Sequence, residues 1–229
     1  MNGAVIFKAL LKEKIDFSGF DWLENRGLSE FELLISVVLT QNTNWNNVLK
    51  ALINLQEAKI SSLEQIANLK EEKLALLIKP SGFYNMKAKR VKNLVLAILR
   101  DFSDIENFKD RVSREWLLNI KGLGFESVDS ILNYLCKREI LVVDSYTNRL
   151  ANALGYEFES YDELREFFES GIEINMNCLN TILNKNYELY ELYQFFHALI
   201  IAFCKMHFKG KNIDEKGLKI IENIRKENL

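Results

Sequence analysis

The sequence contains few of the residues that interrupt helices or cross-link chains. Its 229 residues include one proline, Pro80, and ten glycines, so most of the chain is free to be helical. The three cysteines, Cys136, Cys178 and Cys204, lie far apart and show no C-x-x-C spacing. This usage argues for reduced thiols, and against a disulfide framework or a zinc site.

Long apolar runs and a net positive charge are also missing. No stretch of about 18 uncharged apolar residues occurs, so we expect no membrane span. The first residues, MNGAVIFKALLKEK, place a lysine inside the apolar run and lack a small-residue cleavage site, so we expect no signal peptide and a cytoplasmic protein. The net charge is -2, and binding to nucleic acid would therefore depend on local patches.

Helix signals dominate the rest of the chain. SEFELLISVVLTQNT begins with a capping-box pattern, Ser29-x-x-Glu32, and predicts a buried helix from about Glu30 to Thr40. The same Ser-x-x-Glu pattern predicts further helix starts at Ser61, Ser103 and Ser160. The run Ile140–Val143 is strand-like but too short to build a sheet. We therefore predict an all-α protein with about ten helices.

A Gly-x-Gly turn, IKGLG at residues 120–124, lies between two predicted helices. Glycine there permits backbone angles that other residues resist, and it lets a phosphate approach the main chain. The N–H groups and the dipole of the following helix favour an anion. The pattern predicts a helix-hairpin-helix that contacts DNA phosphates without reading sequence. The plain alternative is a helix end in which Gly122 stops one helix and Gly124 permits the turn.

Asp144 follows the buried run directly and precedes the helical segment YTNRLANAL. One interpretation is a helix N-cap. The other is a carboxylate at the rim of a cleft, kept ionised because a helix N-terminus lowers its pKa. An ionised carboxylate can stabilise a cationic sugar transition state or orient a water molecule. The two roles are compatible.

Three stretches in order, LISVVLTQNT, GFYNMKAKRVKNL and IKGLGFESVDSIL…LVVDSY, resemble the helix-hairpin-helix DNA glycosylases of the endonuclease III superfamily. The resemblance covers roughly residues 30 to 150. It implies a six-helix barrel domain at residues 28–135, with the hairpin at about 113–136, and a second helical domain from residues 1–27 and 136–229. It also implies that double-stranded DNA is the partner and that the target base is flipped out of the stack.

The resemblance carries functional residues over by position. Asp144 resembles the catalytic carboxylate, and Gln41 resembles the residue that fills the gap left in the base stack. The other DNA-binding residues that it implies are Asn42, Lys121, Gly122, Leu123, Gly124 and Ser127. A basic group on the NMKAKRVKN segment, Lys87, Lys89, Arg90 and Lys92, is a further phosphate stripe or simply a solvated helix face.

Two departures from the family pattern define the expected subclass. Bifunctional members carry a lysine two residues after the second hairpin glycine, where this chain has Glu126. A carboxylate cannot form the Schiff base, so we expect a monofunctional enzyme. Many members bind an iron–sulfur cluster through four C-terminal cysteines, which this chain lacks, so we expect no cluster, no metal and no cofactor. A monovalent cation at the hairpin, as in relatives, stays open.

Among these enzymes the chain most resembles the bacterial 3-methyladenine DNA glycosylase III type, which implies removal of N3-alkylated adenine. We also expect a monomer, which suits an enzyme that scans DNA, associated with the bacterial nucleoid. Such a base is cationic and already a good leaving group, so its pocket needs mainly aromatic stacking. The candidate pocket residues are Trp22, Phe31, Trp45 and Lys205. The three aromatic residues could equally be core, and Lys205 a solvated charge at a helix end.

Two other functions remain open from the sequence. One is a related glycosylase for another damaged or mismatched base, in which a charged pocket group would read the base edge. The other is a non-catalytic DNA-binding helical protein, which would tolerate Asp144→Asn.

Overall fold

The computed structural model describes residues 1–15 and 27–226. Trp22, a candidate pocket residue, lies outside the described residues. The chain divides into two compact units, one comprising residues 27–136 and the other the residues up to 26 together with those from 137 onward. The division expected from the sequence placed these boundaries at 27/28 and 135/136.

The described residues form helices α1 to α14, numbered in chain order. The first nine are α1 (Gly3–Lys12), α2 (Glu30–Thr40), α3 (Trp45–Glu57), α4 (Leu63–Asn68), α5 (Glu71–Leu77), α6 (Tyr84–Phe102), α7 (Ile105–Arg111), α8 (Arg114–Leu118) and α9 (Phe125–Ser130). The remainder are α10 (Ser145–Leu154), α11 (Tyr161–Glu169), α12 (Met176–Leu183), α13 (Leu189–His207) and α14 (Glu215–Lys226). Two short 3₁₀ turns are Lys79–Ser81 and Glu173–Asn175, and a π-helical turn, Ile131–Leu135, follows α9. The strands β1 (Phe208–Lys209) and β2 (Asn212–Ile213) form a small antiparallel pair.

The predicted all-α architecture is confirmed, with more helices than the ten expected because several are only one or two turns long. Among the described residues, no helix is long and apolar enough to cross a membrane. The strand-like run at residues 140–143 is irregular in structure, and three of its four residues are buried. Burial of the run, rather than a sheet, therefore accounts for its apolar composition.

Helix α2 forms the centre of the unit 27–136. Its capping box is present as predicted: Ser29 Oγ accepts from the Glu32 N–H, and the Glu32 carboxylate accepts from the Ser29 N–H at 2.8 Å. Its core positions Leu34, Ile35 and Val38 are fully buried. The helix thus begins directly after its capping residue, Ser29. Its apolar faces pack against the surrounding helices.

Two predicted caps are wrong by one residue. The α4 cap is Ser62, which accepts from the Gln65 N–H, and not Ser61. The α7 cap is Asp104, which accepts from the Asn107 N–H at 2.7 Å, and not Ser103. In both cases two adjacent residues can cap, and the sequence pattern does not distinguish them. The predicted cap at Ser160 of α11 is confirmed.

Helix α13 forms the centre of the other unit. It packs against α1, α10 and α14, and the rings of Phe7 and Phe196 stack with centroids 4.5 Å apart. Most of its length is buried, including Leu199 and Phe203. This agrees with a helix that is apolar on nearly all sides in its second half. The core of the unit thereby fixes the position of α10, at whose start Asp144 lies.

Candidate functional site

The Gly-x-Gly turn connects α8 to α9. Gly122 has φ +104°, and a Cβ built there would lie 2.5 Å from Cγ of Arg90. Gly124 has φ -104° and ψ 175°, which other residues adopt readily, and a Cβ there would meet nothing within 4 Å. The two glycines therefore serve different purposes: Gly122 is required by the turn itself, whereas Gly124 leaves the main chain open to a ligand.

Gly124 is also the N-cap residue of α9. Because it has no side chain, no side-chain cap bond satisfies the first N–H groups of the helix. Residues 124–126 are exposed. An exposed helix start without a side-chain cap suits a phosphate oxygen. Lys121, at the end of the preceding turn, is exposed, and Leu123 is half-buried.

Gln41 is bonded to the hairpin from the end of α2. Its Nε2 donates to the Gly122 carbonyl at 3.1 Å and to Ser127 Oγ at 3.0 Å. Its Oε1 accepts from Arg90 Nη1 at 2.5 Å. The structure therefore brings together three of the predicted DNA-binding residues. Insertion of Gln41 into a base stack would break these bonds. Asn42 beside it is exposed and left-handed, with φ 52°.

Two arginines support the hairpin, and the sequence revealed this role for neither. Arg90 contacts both Gln41 and the face of Gly122. Arg114 of α8 donates to both carboxylate oxygens of Asp129 on α9, at 2.7 and 3.1 Å, and Asp129 is fully buried. This bidentate ion pair joins the two hairpin helices. The partners are too far apart in sequence for any helical spacing to reveal them.

Lys87 corrects the predicted phosphate stripe. Its side chain is 1% exposed, and its Nζ donates to the carbonyls of Leu39 at 2.8 Å and Ser81 at 2.6 Å. Burial, and then the charge of Arg90, lower its pKa from 10.5 to about 8. Lys87 therefore ties the end of α2 to the turn before α6, and cannot contact DNA while it is buried there.

Asp144 is the N-cap residue of α10. The first of the two interpretations drawn from the sequence, a helix N-cap, is therefore confirmed. Its Oδ1 accepts from the N–H groups of Tyr146 and Thr147, both at 2.9 Å, and from Thr147 Oγ1 at 3.1 Å. Burial alone would raise the pKa of Asp144, but the nearby His197 and the bonds from Thr147 lower it by more, so the net pKa is below its ordinary value. The carboxylate is thus ionised, and the cap bonds fix the position of its Oδ1.

The second oxygen of Asp144 faces α13. Its Oδ2 lies 3.7 Å from Nε2 of His197, a buried residue that nothing in the sequence connects to Asp144. Cys204 of the same helix donates from Sγ to the Tyr146 carbonyl at 3.4 Å. Burial, and then the charge of Asp144, raise the pKa of this thiol to about 12, so it stays neutral. Asp144 therefore has α10 on one side and α13 on the other.

The candidate pocket residues lie in different environments. Phe31 is in the core of its unit at 7% exposure. Trp45, the first residue of α3, is half-buried, and its indole Nε1 is buried without a hydrogen-bond partner among the described residues. Lys205 is exposed in the last turn of α13. Their roles in base binding stay predictions.

Side chains that could ligate a metal are not grouped in the described part of the chain. Residues 1–15 and 27–226 contain no group of three or more His, Cys, Asp or Glu side chains that could hold a metal ion. His207 pairs with Asp214 at 3.0 Å. Of the cysteines, Cys136 is half-buried, Cys178 exposed and Cys204 buried.

This fold, with an open hairpin and a helix-capping aspartate, defines the class of protein. Residues 35–173 match the model of the HhH-GPD superfamily of base excision DNA repair proteins. The chain belongs to this family, and it is a DNA glycosylase of base excision repair whose partner is DNA.

Three proteins that are similar to this chain are DNA repair enzymes or candidates for that role. The chain is similar to the Helicobacter pylori 3-methyladenine DNA glycosylase MagIII, solved with 1,N6-ethenoadenine, at 42% identity and a TM-score of 0.81 over 91% of this chain and all of that one. It is 38% identical to a candidate DNA repair glycosylase of Methanocaldococcus jannaschii over 80% of both chains. It is 34% identical to endonuclease III of Thermotoga maritima over 55% of this chain and 57% of that protein.

Proposed function

We propose that the protein is a monofunctional DNA glycosylase that hydrolyses the N-glycosidic bond of 3-methyladenine and related alkylated purines in double-stranded DNA. The observation that carries the proposal is the likeness to the H. pylori 3-methyladenine enzyme, at 42% identity over the whole of that chain. We propose that it acts as a monomer and needs no metal or iron–sulfur cluster, since its three cysteines are too few for a four-cysteine cluster.

Asp144 is the proposed catalytic carboxylate. As the bond to an alkylated purine breaks, positive charge develops on the sugar. A fixed, ionised carboxylate stabilises that charge or orients the attacking water. Protonation of the leaving base is not needed, because alkylation has already made it cationic. The lowered pKa of Asp144 and its bonds to the start of α10 support this role.

Glu126 supports hydrolysis without strand cleavage. It lies in the exposed first turn of α9, at the position where the lyase members of the family carry their lysine. A carboxylate there cannot attack the sugar to form an imine, so water remains the nucleophile. Because the chain is also similar to endonuclease III, the experiment must test for lyase activity directly.

The test of substrate uses duplex DNA treated with a methylating agent. Released bases are separated by chromatography, and we expect free 3-methyladenine in excess over other methylated bases. A matched duplex containing 1,N6-ethenoadenine tests whether bulkier adducts are accepted. Release of an unalkylated or mismatched base instead would favour a related glycosylase, and release of no base would favour a non-catalytic DNA-binding protein.

The test of monofunctionality uses borohydride trapping. A lyase forms an imine that borohydride reduces to a stable protein–DNA adduct, so we expect no adduct from the wild-type protein. A bifunctional endonuclease III serves as the positive control. A trapped adduct with the wild-type protein would contradict the assignment made from Glu126.

A further inference from the structure

The two oxygens of Asp144 have different surroundings within one structural unit. Oδ1 accepts from two backbone N–H groups and one hydroxyl at the start of α10, all within 3.1 Å. Oδ2 points instead at the imidazole of His197, with Nε2 at 3.7 Å. The cap alone fixes one oxygen, and a carboxylate fixed at one oxygen can still rotate about that contact. The second contact is what defines the plane of the group.

The position of His197 allows it to orient the Asp144 carboxylate. It lies in the buried middle of α13, between Phe196 and Ala198, and is 8% exposed. Helices α10 and α13 pack closely, and the bond from Cys204 Sγ to the Tyr146 carbonyl joins them near the same point. The two side chains are each only 10% exposed, so His197 affects the pKa of Asp144 more strongly than it would in a solvent-exposed pair, and it lowers that pKa.

Other ionisable groups near this pair do not take over its role. Cys204 stays a neutral thiol because burial and the charge of Asp144 raise its pKa to about 12. Arg149 of α10 lies over the ring of Tyr146 at 5.4 Å, whereas Arg225 of α14 donates at 2.8 Å to the Ala153 carbonyl in the last turn of α10, at the end away from Asp144. The contact between His197 Nε2 and Asp144 Oδ2 at 3.7 Å is therefore the one to test.

We infer that His197 is a positioning residue for the reaction: it orients Oδ2 of Asp144 and keeps the carboxylate ionised for catalysis. The inference rests on the proposed function, because it assigns Asp144 the catalytic role. In this assignment His197 acts through the carboxylate of Asp144, and not directly on the substrate. Its removal should therefore act on kcat and on the acid side of the pH profile, with little effect on DNA affinity.

Two substitutions separate orientation from charge. His197→Phe removes the imidazole that faces Oδ2 and its electrostatic effect on Asp144. We expect kcat to fall roughly tenfold and the acid limb of the pH profile to move to higher pH. His197→Gln keeps an N–H donor near the Nε2 position without a charge. It should recover much of kcat while leaving the acid limb displaced. His207→Gln is the matched control, because His207 is on the same helix but pairs with Asp214.

A second readout does not depend on the substrate. Carbon-13 NMR of the Asp144 carboxyl group, assigned with Asp144→Asn, reports its pKa directly, and we expect a higher pKa in both His197 variants than in the wild type or His207→Gln. An unchanged Asp144 titration and an unchanged acid limb in folded His197→Gln would overturn the inference. Failure of the wild type to release 3-methyladenine, with the NMR shift present, would instead overturn the proposed function.

Discussion

Asp144 combines two functions in one side chain, since it caps α10 and presents an ionised carboxylate. Asn also caps helices well, so Asp144→Asn should preserve folding and DNA binding. Excision should fall by about 100-fold or more, because the negative charge is lost. Single-turnover excision and a DNA-binding titration measure the two effects. Asp104→Asn, at the exposed cap of α7, is the control, and near-normal excision by Asp144→Asn would rule out the catalytic assignment.

Trp45 is a candidate pocket aromatic and is half-buried, whereas Phe31 is buried. If it stacks on the cationic base, Trp45→Ala should weaken excision of 3-methyladenine more than binding to undamaged or abasic DNA. Trp116→Ala is a suitable control, because Trp116 packs against Phe102 and Phe108 in the same unit of the chain. Equal losses on damaged and undamaged DNA would place Trp45 in the core.

Lys87 makes a prediction about stability and pH. Its folded pKa of about 8 lies below its ordinary value of 10.5, so the unfolded chain binds more protons between these values. Its contribution to stability therefore rises with pH across that window. Relative to Lys87→Met, the wild type should gain about 2 kcal/mol between pH 7.5 and 9.5. Urea unfolding at the two pH values measures this gain.

Exposed Lys89, two residues away, supplies the matched control. Lys89→Met should show the same pH dependence as the wild type. The contradicting result is a free energy of unfolding that changes by the same amount between about pH 7.5 and 9.5 in Lys87→Met and in the wild type. That result would show that the pKa of Lys87 is not lowered in the folded protein.

At the scale of elements, the hairpin predicts opposite results for its two glycines. Gly122→Ala forces a Cβ to a positive φ and into Arg90, so it should cost about 1–3 kcal/mol of stability. Gly124→Ala has ordinary backbone angles and open space, so the fold should stay intact while a Cβ obstructs the phosphate. Thermal unfolding and DNA affinity of the two variants test this. Reversed results would mean that the turn holds DNA differently.

The sequence predicts elements well where the signal is local. The hairpin, the α2 capping box and the Asp144 cap are all encoded within a few consecutive residues, and each is present. Where two neighbours can cap, as at Ser61 and Ser62, the pattern errs by one residue. The sequence pattern cannot distinguish two adjacent residues that cap equally well, because packing decides which of them caps the helix.

The remainder of the site depends on contacts between distant parts of the chain. Lys87 belongs to a basic run that is typical of a surface stripe, yet packing of α2 and α6 buries it. Arg90 and His197 reach Gln41 and Asp144 through the tertiary fold alone. No periodicity or spacing connects such pairs, so only the structure reveals them.

At the scale of the whole molecule, charge predicts weak electrostatic binding. The chain has 30 basic and 32 acidic residues, so DNA contact must come from a few local cations and backbone N–H groups. Lys121→Gln should lower the slope of log affinity against log salt by about 0.9, while leaving selectivity for the damaged base unchanged. Lys219→Gln, exposed on α14, is the control, and an unchanged slope for Lys121→Gln would remove Lys121 from the phosphate contacts.

The central claim is that this chain releases an alkylated adenine by hydrolysis and leaves the DNA backbone intact. The most direct measurement is a time course on methylated duplex DNA with the wild-type protein, in which released base and strand length are followed in the same samples, with and without alkali. We predict free 3-methyladenine, and strand breaks only after alkali at a matching rate. Strand breaks that appear without alkali, or methylated DNA that keeps all its 3-methyladenine, would contradict the account.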